Sequence, residues 1–248
     1  AQDQDPKMQE PILAEQIAKE LRRDILRGNI GPGDSLKERD KAAEMGVSRT
    51  PMREAIRILA QEGLIQLRPA RSPIIARPDV KEVTDDVEVL LAIEKLSGEL
   101  ACQRATDDDI AEIAEIVQQM VDNFDSLGAL ELFEIDMSFH SALAQASHNA
   151  QLAGIHDRFL SRLWRARYLS TVQRRNRASV IEHHTAILKA LQARDSDAIR
   201  LAIGTHLDRL TDDIGNVIRR EQEEVGSDKA QASKPKSKTT AKATLVDK

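Results

Sequence analysis

Two sets of residues in this 248-residue chain are of a type and spacing that can do chemistry. The first is Asp136, His140, His184 and His206; all six histidines of the chain lie between 140 and 206. Asp136 and His140 stand four apart, so on a helix they share a face. His184 and His206 fall on two later predicted helices. One carboxylate and three imidazoles make a borderline-soft donor set for a divalent ion: zinc first, with nickel, manganese or iron as alternatives. Two ligands fixed at i and i+4 lower the cost of assembling such a site. The competing reading is an ordinary Asp–His pair on a helix surface, which is common without a metal. The second set is Arg49, Arg53 and Arg57. Their four-residue spacing puts three guanidinium groups on one side of a helix, with Ala55, Ile56 and Leu59 on the other. A short helix with an apolar back and an arginine front fits a DNA major groove, where arginine forks onto guanine O6 and N7.

Both sets need elements to position them. Ile12, Ile17, Leu21 and Ile25 predict a first helix over about 11–27, with Gly28 just past its end. Ser35 and Glu38, three apart, predict a capping box opening a second helix, which Gly46 interrupts. Ser48 or Thr50 is expected to cap the third helix, with Pro51 in its first turn. Gly63 ends it, and two short extended runs around Pro69-Ala70-Arg71-Ser72 predict a hairpin wing. From Val80 onward the pattern is helical, with helices expected near 80–105, 107–123, 128–147, 149–171, 173–193 and 195–224. Thr106 and Asp195 look like N-caps. The connections are short, so neighbouring helices should pack antiparallel. The expected fold is therefore mainly α: a winged helix-turn-helix domain over 9–78 and an all-α antiparallel bundle over 79–225. Residues 1–8 are expected to be a flexible N-terminus and 226–248 a disordered Lys-rich tail.

Composition bounds the function. Aromatic residues make up only 2% of the chain, so the cores must be built from Leu, Ile, Val and Ala, which with 31% charged residues favours helices. The single cysteine, Cys102, excludes an internal disulfide and reads as a small buried residue. No run reaches the length of a membrane span, so a cytoplasmic protein with no membrane partner is expected. Charge is divided: residues 1–78 hold 14 Lys and Arg against 12 Asp and Glu, 79–228 hold 16 against 28, and 229–248 hold 6 against 1. An acidic body repels phosphate, so DNA contact must come from the N-terminal arginines. A metal-dependent hydrolase using Asp136, His140, His184 and His206 would need a nearby general base. The chain has no His-Glu-x-x-His, no phosphate-cradling glycine loop and no nucleophile elbow, and such an enzyme leaves the arginine helix unexplained.

The run Gly46-Val47-Ser48-Arg49-Thr50-Pro51, with Arg53-Glu54-Ala55, Glu62-Gly63-Leu64 and the upstream Ile30-x-Pro32-Gly33-Asp34-x-Leu36, resembles the GntR family of bacterial transcription regulators. The helical remainder resembles the FadR-type C-terminal effector domain, FCD. The resemblance implies a homodimer on double-stranded DNA with an inverted-repeat operator, whose affinity the effector domain controls. It carries DNA contact onto Arg39, Arg49 and Arg53, and phosphate contact onto Ser48 and Thr50. Arg71 stands at the wing tip, where Ser72 replaces a usual glycine, so the wing is expected to touch phosphate rather than insert deeply. Lys41 replaces a usual leucine, its stem expected to cover the core. Asp136-x-x-Phe139-His140, His184-x-x-Ile187-Leu188 and His206-Leu207 match the metal-ligand positions of metal-binding FCD proteins. The resemblance implies a small carboxylate effector at that metal; one of Arg162, Arg165 and Arg167 facing the pocket would clamp it. Leu90 stands about where many such domains carry an arginine. Two other roles for the ion stay open: a purely structural brace, or the sensed ligand itself.

Overall fold

The computed structural model describes residues 6–173 and 177–220. The N-terminal domain is built from α1 (Pro6–Arg27), α2 (Glu38–Glu44), α3 (Arg49–Gln61) and the wing strands β1 (Ile65–Arg68) and β2 (Arg71–Ile75). The apolar stripe of α1 (Ile17, Leu21, Ile25) packs onto the apolar back of α3 (Met52, Ala55, Ile56, Leu59), closed by Leu64, Ile65 and Ile75 from the wing. Gly28, Gly46 and Gly63 all have positive φ, as helix-ending residues do. β1 and β2 pair antiparallel with an irregularity between Gln66 and Arg68. Helix α1 starts at Pro6, ahead of the expected start of the domain at residue 9. The expected tail at 226–248 lies outside the described residues.

The second domain is a helical bundle: α4 (Val80–Arg104), α5 (Asp107–Asn123), α6 (Ala129–Gln145), α7 (Ala150–Gln173), α8 (Arg177–Gln192) and α9 (Ser196–Leu207). Thr106 caps α5 in a capping box with Asp109, and Asp195 caps α9 by accepting from the amides of Asp197 and Ala198. The single helix expected over 195–224 is broken by a turn at 208–209 and resumes over 210–220. Two apolar cores fill the bundle. One joins α4, α5, α6, α8 and α9 through Cys102, Ile113, Phe139, Leu143, Ile187 and Ile203. The other joins α4, α6 and α7 through Leu90, Phe133, Met137, Leu160 and Leu163. Helix α6 serves both, with Phe133 and Met137 in one core and Phe139 and Leu143 in the other. Gly98 allows α4 and α9 to meet closely: a Cβ there would lie 2.5 Å from Ile203 Cδ1.

The two domains share α1. Its Leu26 is buried in the second domain's core beside Val83 and Leu90. Arg23 forms a two-bond pair with Glu134 (2.8 and 2.5 Å), and Arg27 reaches Glu131 at 3.4 Å. Both carboxylates lie on α6, the helix that also carries Asp136 and His140. Gly63, at the end of α3, sits against the Arg162 side chain of α7.

Candidate functional site

On α3 the apolar residues are buried and the arginines are not, the division their spacing requires. Arg49 and Arg53 both turn toward Glu38, the first residue of α2. Arg49 Nε donates to Glu38 Oε1 at 3.1 Å; Arg53 Nε and Nη2 donate to Oε2 and Oε1 at 3.1 and 3.0 Å. These bonds, Arg53's first, outweigh the effect of burial and hold the Glu38 carboxyl below its usual range. Arg57 instead pairs with Glu54 one turn back. The expected capping box is therefore not formed. Ser35 is drawn into a bridge with Ile74 of the wing, Lys37 takes the N-cap position of α2, and the Glu38 side chain is spent on the arginines. Ser48 occupies the N-cap position of α3 without a side-chain capping bond, and Thr50 lies exposed in its first turn.

Arg39 is highly exposed on α2, with one long contact to Asp40 (3.4 Å). At the wing tip, Ala70 takes the positive φ that closes the turn, and Arg68 donates twice to the Ser72 carbonyl, at 2.9 and 2.6 Å. Arg71 is exposed at the start of β2, beyond that brace. The Lys41 ammonium pairs with Glu44 while most of its side chain is covered.

In the bundle, Asp136, His140, His184 and His206 converge: one ligand atom from each lies within 4.8 Å of every other. Helix α6 presents the first two, α8 the third and α9 the fourth. The hydrogen bonds on the far side of the rings fix their tautomers. His184 Nδ1 lies 2.7 Å from the Val180 carbonyl, which can only accept, so Nδ1 carries the proton. His140 Nδ1 lies 2.7 Å from Glu94 Oε2, a carboxylate that accepts, so the same holds there. Nε2 is then the acceptor nitrogen of both rings, and that of His140 accepts from Arg167 Nη2, a bond that a metal ion would have to replace. His184 Nε2 stands 2.7 Å from Asp136 Oδ1, a contact that a proton on Nε2 or a cation shared by the two atoms would make favourable. His206 Nε2 is 3.3 Å from His140 Nε2. Ligands held about 2.1 Å from a common ion stand roughly 3–4 Å apart; the separations here, 2.7, 3.3 and 4.0 Å for three of the pairs, scatter around that range.

Electrostatics support the same donor set. Burial pushes the His140 imidazole down despite Glu94 beside it, and His206 further, with His184 and His140 adding to its fall. Neutral imidazoles are the ligating form. Burial alone would raise the Asp136 carboxyl, but His184, His140 and Arg167 outweigh it and hold it well below the usual range.

Behind the ligands lies a buried ionic group that the sequence did not reveal. Glu94 on α4 is buried, and besides His140 it meets Arg167 Nη1 at 3.4 Å and His156 Nε2 at 3.5 Å. Burial would raise its carboxyl; His140 and His156 outweigh that and hold it well below the usual range. His156 is pushed up to about 9: burial lowers it, but Asp157 and Glu94 win. Arg167 Nη2 donates to His140 Nε2 at 2.9 Å. Of the three candidate clamp arginines, Arg167 alone lines the cavity beside the ligands, a space of about 480 Å³ that also exposes Asp136, His184 and His206. Arg162 faces the interdomain seam, bonded to Asp86 at 2.8 Å, and Arg165 is not in the cavity wall. Leu90 is buried in the core. His148 pairs with Asp109 away from the ligands, and His183 lines the cavity with its ring edge-on to His206.

Comparison with known proteins agrees with this architecture. Residues 13–74 match the family model described as bacterial regulatory proteins, gntR family, and residues 86–209 match the FCD domain. The HTH-type transcriptional repressor RspR of Escherichia coli K12 is 30% identical over 204 residues, covering 82% of this chain and 89% of that protein. The gluconate operon transcriptional repressor of Bacillus licheniformis is 27% identical over 199 residues, covering 77% and 81%. The solved structure of E. coli McbR/YncC shares the fold, with TM-score 0.69 at 20% identity over 85% of this chain and 98% of that one. No helix among the described residues is long and apolar enough to cross a membrane. A winged helix-turn-helix domain fused to an FCD bundle, both matched in order along the chain, makes this protein a member of the gntR family of bacterial transcription regulators.

Proposed function

We propose that the protein is a homodimeric repressor whose affinity for an inverted-repeat operator is set by a small carboxylate bound at a divalent metal in the FCD domain. One observation carries the metal: ligand atoms of Asp136, His140, His184 and His206, drawn from three helices, all lie within 4.8 Å of one another. Asp136, His140, His184 and His206 would hold the ion, which when bound would act as a Lewis acid toward an anionic ligand. Arg167, the buried cation in the cavity wall, supplies the second charge for a carboxylate. On the DNA side, Arg49 and Arg53 read bases, Arg39 supports them, and Ser48, Thr50 and Arg71 contact phosphate. Two relatives named as repressors support the sign of regulation.

The link between the two ends is α6. It carries the metal ligands on one face and Glu131 and Glu134, the partners of α1, on another. A shift of α6 moves α1 and with it α3, and half-site spacing makes operator affinity sensitive to such a shift. A second reading is favoured by the ligands' origin on three helices: the ion only braces α6, α8 and α9. Native mass spectrometry of the purified protein tests both. A divalent ion with a bound acid supports the first reading, an ion alone supports the second, and a metal-free protein after purification without chelator contradicts both.

A further inference from the structure

The pairing of Glu38 with the recognition helix goes beyond the DNA contacts proposed above, though it rests on Arg49 and Arg53 being base readers. Both arginines are exposed on α3, where long side chains sample many rotamers. One carboxylate from the neighbouring helix restrains both. It takes Arg49 through Nε only, leaving both Nη groups free to fork onto a guanine. It takes Arg53 along the Nε–Nη2 edge, leaving the outer Nη1–Nη2 edge free. The bonds thus leave on each guanidinium a pair of donors that Glu38 does not use and that can read O6 and N7. We propose that Glu38 is a specificity-determining positioning residue, which pre-orders Arg49 and Arg53 for base reading and opposes their diversion to phosphate.

A carboxylate at a DNA-facing surface also repels the backbone. Its presence therefore lowers affinity for any duplex while favouring the one sequence that both arginines fit. The readout is accordingly the ratio of operator to unrelated-DNA affinity, since removing the charge raises binding to every duplex.

The test measures this ratio and the salt dependence for wild type, Glu38→Gln and Glu38→Asp, by fluorescence anisotropy with a selected operator and a scrambled duplex. Glu38→Gln is close in size, and unchanged circular dichroism and melting establish that it folds. One bidentate arginine–guanine contact discriminates roughly 5- to 150-fold. We expect Glu38→Gln to lose at least about 5-fold in the ratio. Its affinity for scrambled DNA should rise, and its salt slope on that DNA should steepen by about one as a freed arginine meets phosphate. Glu38→Asp, with the charge but a shorter reach, should recover part of the ratio. An unchanged ratio in Glu38→Gln, or a parallel fall on both duplexes, would overturn the proposal. Arg49→Ala and Arg53→Ala run alongside separate the two layers. If neither changes discrimination, the base-reading assignment itself fails; if they do and Glu38→Gln does not, only the role of Glu38 fails.

Discussion

Replacing Glu94 by glutamine probes the metal centre without touching a ligand. In the native protein the carboxylate holds the proton on His140 Nδ1 and faces His156 and Arg167 in a buried site. An amide keeps the size and loses the charge. Partners of this kind, one bond behind a metal ligand, typically contribute 10- to 100-fold in metal affinity, about 1.4–2.7 kcal/mol. Folding stability falls as well, because two buried cations lose their anion. The cheapest escape is for His156 to shed its proton. From a value of about 9, doing so at pH 7.5 costs about 2 kcal/mol, which bounds the loss assigned to that residue. The sign of the pH dependence follows. The folded value of His156 lies above its unfolded one, so its contribution is fully present below about pH 6.5 and is lost as pH rises through about 9. The penalty of Glu94→Gln should therefore shrink between pH 7 and pH 9.5. Chelator-competition titration gives the metal affinity, and urea denaturation of the metal-free protein at three pH values gives the stability. A folded Glu94→Gln protein with wild-type metal affinity and a pH-independent penalty would refute the reasoning.

Other outcomes follow from the same geometry. His184→Ala should lose stoichiometric metal, measured by inductively coupled plasma mass spectrometry; metal content that stays stoichiometric removes His184 from the ligand set. Arg49→Ala should lose operator discrimination roughly 5- to 150-fold together with affinity, and an unchanged sequence preference in a binding selection would contradict its role. Arg167→Lys keeps a charge but loses the planar fork, so carboxylate binding should weaken by about tenfold or more in calorimetry while metal content is unchanged. Arg23→Ala removes a partly buried pair between α1 and α6. It should cost about 1 kcal/mol or less in thermal melting, yet reduce the change in operator affinity on ligand binding.

How much of this was legible in sequence depended on whether the signal was local. Asp136 and His140 could be paired because i and i+4 share a helix face, and Arg49, Arg53 and the buried back of α3 follow the same rule. The elements followed too, since stripes, glycines with positive φ and N-caps are written in neighbouring residues. Glu38 was misread for a complementary reason. Ser35-x-x-Glu38 satisfies the local rule for a capping box, but the wing bonded to Ser35 and α3 offered Glu38 two guanidinium groups, so tertiary partners won. Glu94 gave no signal: a single carboxylate on an apolar helix face looks like a surface residue until α6 and α7 bring His140, His156 and Arg167 to it. The three candidate clamp arginines could have been thinned in advance. At about 100° per residue, 162 and 167 point roughly 140° apart, so they could not share one cavity wall. Which of them would face it was decided by packing on α4 and α6. The break at 208–209 carries no glycine or proline, the usual signals of a helix end.

The claim that the FCD site governs DNA binding is tested most directly by one titration. Operator affinity is measured for the metal-loaded and the metal-stripped protein at fixed salt, with and without a panel of three- to six-carbon mono- and dicarboxylates. The account predicts that at least one acid changes operator affinity by about 5- to 150-fold in the metal-loaded protein and has no effect once the metal is removed. An operator affinity that is the same with every acid, in a protein holding its full complement of metal, would contradict it.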